Sequence, residues 1–163
     1  MIARIFQGYY LTRDGRISHF TRSELACRNS CGLADMNERT IDALEASRLE
    51  AERALFPTSG VRCGAHNTAV GGSVDSPHLR GLAVDLTWSA DIFSLWELLR
   101  KHFLRVCMYS RSKGGHCHGD VWITDRVIWD VVTSDGAFLI DDFLRSYTIS
   151  LTREAVNQVL EAT

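Results

Sequence analysis

The chain has 163 residues, 45% hydrophobic and 23% charged, with only 2 Pro and a formal net charge of -2. That length suits a single domain able to bury its own core without staples, and the composition excludes a disordered, collagen-like or low-complexity chain. The near-neutral balance argues against a nucleic-acid binder working through bulk charge.

Met1 to Tyr10 is interrupted by Arg4 and Gln7 and lacks the apolar core of a leader peptide. No stretch approaches the roughly 18 apolar residues of a membrane-spanning helix, so the expectation is a chain made in the cytoplasm with no membrane partner. Thr21-Arg22-Ser23-Glu24 has the spacing of a capping box and predicts a short helix. Cys27 to Gly32 reads as a loop. Asn37 to Leu55 predicts a helix with Ile41, Leu44, Ala51 and Leu55 on one stripe. Pro57 to Gly60 ends it and leads into an extended piece through Arg62, and Cys63 to Val70 suits a helical turn or two. Ser73 to Gly81 is a polar loop.

Leu82 to Thr87 alternates like a strand, with Ala83, Asp85 and Thr87 on one side. Asp91 to Phe103 is an amphipathic helix. Val106 to Tyr109 and His116 to Ile123 read as two strands of a hairpin, turned by Gly114-Gly115. A further strand is expected over Val127 to Val132, then helices over Asp141 to Tyr147 and Thr152 to Leu160. The sum predicts an α+β fold, with helices packed on a small, mostly antiparallel sheet.

Two segments carry chemistry: Ser76-Pro-His78-Leu-Arg-Gly81-Leu-Ala83-Val-Asp85 and His116-Cys-His118-Gly-Asp120. Residues 116, 118 and 120 share one strand face, and such a polar set on an inner strand is costly to bury without a partner. A divalent ion is a natural partner. His78 and Asp85 are spaced for a loop that folds back rather than for one helix face. Two His and one carboxylate are a usual ligand set for catalytic zinc, with a position left open for water.

Ser-x-His-x-x-Gly-x-Ala-x-Asp followed by a late His-x-Asp resembles the zinc D-Ala-D-Ala peptidases (peptidase M15) and their phage endolysin relatives, whose fold is shared with the hedgehog signalling domain. Thr58-Ser59-Gly60-Val-Arg62-Cys63, His66-Asn67, Ala69 to Gly72, Phe20 to Glu24 and the Cys27/Cys31 pair are similar to that family as well. The resemblance covers residues 20–123, which leaves 124–163 as an extension read by pattern alone. It implies a Zn2+ ion held by His78, Asp85 and His118. It implies that Arg62 holds a substrate carbonyl or carboxylate, as a permanently charged multi-donor group can, and that Ser76 lies near the substrate. Many members place a Glu three residues before the last zinc His, where this chain has Gly115. That leaves Asp120 as the preferred acid/base and His116 as the alternative, echoing the His-x-His of murein endopeptidases; the other would orient a ligand or steady the oxyanion.

The bland readings are a solvated hairpin residue for His116, an orienting partner for Asp120, an ion pair for Arg62 and a turn cap for Ser76. His19 has no evident partner, and His66 and His102 read as ordinary surface residues. The five cysteines, at 27, 31, 63, 107 and 117, are too few and too odd for a disulfide framework. Cys117 should be core, facing away from His116 and His118. Cys27 and Cys31 suit a local disulfide or, given two more ligands, a structural zinc; no second pair is evident nearby. The resemblance implies a monomeric peptidase acting on peptidoglycan peptides at the bacterial wall or periplasm, in a phage or prophage lysis role, as carboxypeptidase or endopeptidase. The competing expectation is a non-catalytic, zinc-stabilised wall-binding or virion module of the same fold.

Overall fold

A computed structural model describes residues 1–124 and 130–163. The first element is one the periodicity did not reveal: a small antiparallel meander of β1 (Ile5–Phe6), β2 (Tyr9–Leu11) and β3 (Ile17–Thr21). Its strands are too short for alternation to register. Gln7 and Gly8, at φ 50° and 86°, make the tight turn between β1 and β2 with the left-handed pair that such hairpins require. Tyr10, Ser18 and Phe20 point inward while their strand neighbours stay outside.

The expected capping box forms at α1 (Arg22–Leu25). Thr21 Oγ1 accepts from the Glu24 N–H at 3.3 Å, and the Glu24 carboxylate accepts from the Thr21 N–H at 2.7 Å. Asn37 caps α2 (Glu38–Ala51), which buries Ile41, Ala43 and Leu44. This helix stops before the expected Leu55. Glu52 turns left-handed at φ 51° and closes the end through its N–H to Leu49 O. Leu55 still reaches the core, in the segment that becomes β4.

The second sheet runs in the order β4 (Phe56–Ser59), β5 (Ala83–Thr87), β7 (His116–Asp120), β6 (Arg105–Tyr109), β8 (Val131–Thr133), β9 (Gly136–Phe138). Its pairs are antiparallel except β6 with β8, which is parallel. The expected hairpin of β6 and β7 is present, with Gly114 and Gly115 both at positive φ in its loop. One face of the sheet packs on α4 (Ile92–Leu99), which is capped by Asp91 and ends sooner than the expected Phe103. Phe103 remains buried in the turn that follows, against Gly119, where a Cβ would lie 3.0 Å from its ring.

β8 takes up the end of the strand expected over 127–132; positions 127–129 of that expectation lie outside the described residues. The two C-terminal helices form as read, α5 (Ile140–Ser146) and α6 (Arg153–Ala162). Asn157 of α6 ties itself to the start of α4, donating to Asp91 Oδ1 at 2.6 Å and accepting from the Phe93 N–H at 3.2 Å. The architecture is α+β. Among the described residues no helix is long and apolar enough to cross a membrane.

The loop before β5 depends on one glycine. Gly81 adopts φ 64°, and a Cβ there would sit 2.2 Å from the Asp35 carbonyl oxygen. Gly81→Ala therefore combines backbone strain with a backbone clash and is expected to cost at least about 2 kcal/mol. The urea unfolding midpoint measures this; an unchanged midpoint would contradict the assigned constraint.

Candidate metal centre

Strand register brings the two sequence segments together. β5 and β7 pair Asp85 with His118 and Ala83 with Asp120, while β6 sets Tyr109 opposite His116 and Arg105 opposite Asp120. The period of two then aims His116, His118 and Asp120 to the face that Asp85 shares. His78 arrives from the short 3-10 turn Pro77–Arg80, which starts on a proline suited to a first helical position.

His78, Asp85 and His118 converge. His78 Nε2 lies 3.2 Å from Asp85 Oδ1 and 3.2 Å from His118 Nδ1, and His118 Nδ1 lies 2.9 Å from Asp85 Oδ1. A tetrahedral ion with N and O ligands at roughly 2.0–2.1 Å would space them by about 3.3 Å. Both imidazoles are anchored from behind. His78 Nδ1 donates to Gly60 O at 2.7 Å, which turns its Nε2 lone pair toward the cluster. His118 turns its other nitrogen, Nε2, to Asp120 Oδ2 at 3.2 Å. Acceptors placed behind ligating imidazoles are a recurrent feature of metal sites, because they fix tautomer and ring orientation. The donor set, its spacing and its outer partners fit a divalent ion.

The electrostatics fit the same reading. Burial would raise the Asp85 carboxyl, but the neighbouring His78 and His118 hold it well below the usual carboxylate range. Burial pushes His78 down, partly offset by Asp85. Burial also opposes a charge on His118, yet Asp120 and Asp85 together lift its imidazole to about 9.

Above the cluster opens a cleft of about 800 Å³ lined by Arg62, Ser76, His78, Tyr109, His116 and Trp122, among others. Arg62 donates from Nε to Ser59 Oγ at 2.8 Å and pairs with Asp85 through Nη2. Ser76 is buried in the wall at the start of the 3-10 turn. His116 stacks on Tyr109 with ring centroids 4.5 Å apart, and its Nε2 is 4.0 Å from Asp85 Oδ1. Asp120 is 1% exposed. Its Oδ1 accepts from Arg105 Nε at 2.8 Å and from the Trp122 N–H at 2.9 Å, while Oδ2 faces His118.

Among the cleft residues that no sequence motif marks are Arg105, Tyr109 and Trp122. Extending the hairpin register back along β6 would have found two of them, since Arg105 and Tyr109 lie opposite Asp120 and His116. Trp122 carries no such signal; it lies under the Arg80 and Arg105 guanidiniums, at 4.9 and 5.6 Å. Away from the cleft, His19 does have a partner, Glu45 at 2.8 Å, and His102 meets Glu50 at 2.8 Å. Cys117 is fully buried, its Sγ toward Ile92 O.

Two imidazoles and a carboxylate at the floor of an open cleft form a group that could hold a divalent ion, the kind of donor set found in metal-dependent hydrolases. The chain matches the profile of the Peptidase M15 family over residues 18–120, and it belongs to that family of metallopeptidases. The matched span includes Arg62 and both metal-competent segments through Asp120. No curated protein matches the chain significantly.

With His118 lifted to about 9, the metal-free protein carries a proton there at neutral pH. Metal uptake must displace that proton. Zinc titrations near pH 7.5, run calorimetrically in buffers of different ionisation enthalpy, should therefore show release of about one proton. The apparent affinity should weaken as pH falls below the His118 value, and a pH-independent affinity would contradict the assignment.

Proposed function

We propose that this chain is a zinc peptidase that hydrolyses a peptide bond in bacterial cell-wall stem or cross-link peptides. The observation that carries the proposal is the convergence of His78, Asp85 and His118 beneath an open cleft, within the span matched to Peptidase M15. When bound, zinc supplies Lewis acidity and a nucleophile available near neutral pH. The resemblance to endolysins supports action at the bacterial wall, in a phage or prophage lysis role.

The acid/base is His116 rather than the Asp120 preferred from sequence. Both Asp120 oxygens are engaged, by Arg105 and Trp122 on one side and by His118 on the other. That carboxylate is suited to orienting His118 and raising its basicity. His116 faces the cleft, is held flat by Tyr109, and is kept neutral near pH 7 because burial pushes its imidazole below the ordinary range. A neutral imidazole accepts the proton of the attacking water and returns it to the leaving amine nitrogen. Arg62, anchored by Ser59, presents fixed donors to a substrate carbonyl or terminal carboxylate. Ser76 lines the same wall as a further substrate contact.

Mass spectrometry of purified peptidoglycan fragments, with and without chelator, tests the activity. Expected is release of peptides that chelator abolishes; no cleavage by zinc-loaded protein would favour the non-catalytic module instead. His116→Gln should retain zinc and lose roughly 10²–10⁴-fold in kcat. Asp120→Asn should weaken zinc binding about 10–100-fold, with turnover recovered at excess zinc. The reverse pattern, an inactive zinc-loaded Asp120→Asn beside an active His116→Gln, would return the role to Asp120. The sign for pH follows from the base being neutral. Activity holds above the His116 value and falls as the imidazole protonates, so the acid limb of kcat/KM should lie below the range of an ordinary imidazole.

A further inference from the structure

A second cluster of soft ligands lies in the segments that flank Arg62. The Sγ atoms of Cys27, Cys31 and Cys63 all lie within 4.8 Å of one another, and none of the three is in a disulfide. His66 stands beside the group, its Nδ1 3.3 Å from Cys27 Sγ, close enough to serve as a fourth ligand once its ring turns toward the other two sulfurs. A tetrahedral zinc with Zn–S near 2.3 Å and Zn–N near 2.0–2.1 Å would set S···S at about 3.8 Å and S···N at about 3.5 Å. Cys27 and Cys31 are evident as a pair from sequence, whereas nothing local marks Cys63 as their partner or sets His66 apart from a surface residue. Cys63 and His66 sit 36 and 39 positions from Cys27 and meet it only through tertiary structure.

Backbone and side-chain N–H groups point at two of the three sulfurs. The Cys63 N–H donates to Cys27 Sγ at 3.3 Å, the His66 N–H to Cys63 Sγ at 3.4 Å, and Asn29 Nδ2 to Cys63 Sγ at 3.6 Å. The loop from Cys27 to Gly32 is folded back, with Ser30 at φ 53° and Gly32 at φ 77°. It is pinned by Arg28 Nε donating to Thr58 O at 2.7 Å and by Arg22 Nη2 donating to Gly32 O at 2.8 Å. A disulfide between any two of these sulfurs would leave the third thiol and His66 without a role, whereas one soft divalent ion uses all four.

We propose that Cys27, Cys31, Cys63 and His66 form a structural zinc site, separate from the His78–Asp85–His118 cluster. With four protein ligands it has no open position and so no part in hydrolysis. Binding displaces the remaining thiol protons to solvent and leaves the metal's oxidation state unchanged. Its work is mechanical: it clamps the loop after α1 to the start of α3 (Gly64–Ala69), fixing the strand end between them. That strand end supplies Gly60 O to His78 and the Arg62 guanidinium to the cleft. Gly60 shows how close the clamped segments run, since a Cβ there would lie 2.2 Å from Leu25 O.

Cobalt substitution tests the site without any variant and without an activity assay. The His78–Asp85–His118 cluster has no sulfur, so thiolate-to-cobalt charge-transfer absorption in the near ultraviolet can arise only from a cysteine site. Expected is that absorption in the cobalt-loaded protein, and two zinc ions per chain by elemental analysis of the zinc form. Cys31→Ser changes an exposed residue and should lose the charge-transfer band and one zinc while the other ion stays. His118→Ala should lose one zinc and keep the band. Absence of the band in the reduced protein, or an intact mass lower by two hydrogens that marks a disulfide in place of metal, would overturn the proposal. Either failure leaves the peptidase reading standing, because chelator-sensitive cleavage is measured separately.

Discussion

The site depends on the pairing of β5 with β7. Each of these neighbours does opposite jobs on its two faces, β5 buried almost throughout and β7 half-buried where His116 and His118 meet the cleft. Val84 and Leu86, with Cys117 across from Leu86, face the helices and are fully buried. Asp85 and His118 face the cleft and sit directly opposite one another. Because side chains alternate, a slip of one residue would send Asp85 into the hydrocarbon core and withdraw it from His118. The apolar face therefore fixes the register, and the register aligns the polar face. Gly119 adds to this by letting Phe103 press against the strand without a Cβ between them.

Burying Asp85 at 5% exposure requires compensation. A buried carboxylate is tolerated only when charge and hydrogen bonding are supplied around it, and His78, His118 and Arg62 supply them from three different elements. The network continues one layer outward through Asp120 to Arg105. Such a chain of fixed partners holds imidazoles in one tautomer and one orientation. It also divides labour on a single strand face: Asp120 turns inward to neighbours that use both its oxygens, and His116 is left to face the cleft.

The parts of the chain outside the family match are joined to this core rather than trailing from it. β8 extends the sheet from β6, and Asn157 of α6 ties to the N-terminal end of α4. On the other side, the Cys63 N–H bonded to Cys27 Sγ and the close approach of Gly60 to Leu25 hold the segment that carries Arg62. The cleft is thus framed at both ends by contacts between residues far apart in sequence.

What the sequence determined by itself was whatever a local period or a short motif encodes. The capping box at Thr21, the amphipathic stripe of α4, the hairpin glycines and the His78-to-Asp85 spacing all act within about ten residues, where backbone geometry alone relates the side chains. So the fold class and the shared face of 116, 118 and 120 were legible. The end of α2 was not, because Leu55 keeps the hydrophobic period after Glu52 has already turned the chain. Nor was the difference between Asp120 and His116, because it rests on Arg105, a residue of the neighbouring strand β6. The grouping of Cys27, Cys31, Cys63 and His66 was equally hidden, since two segments more than thirty residues apart meet only once β4 and α1 pack together. Pattern identifies which groups share an element's face; only tertiary packing sets which groups from different elements share a hydrogen bond or an ion.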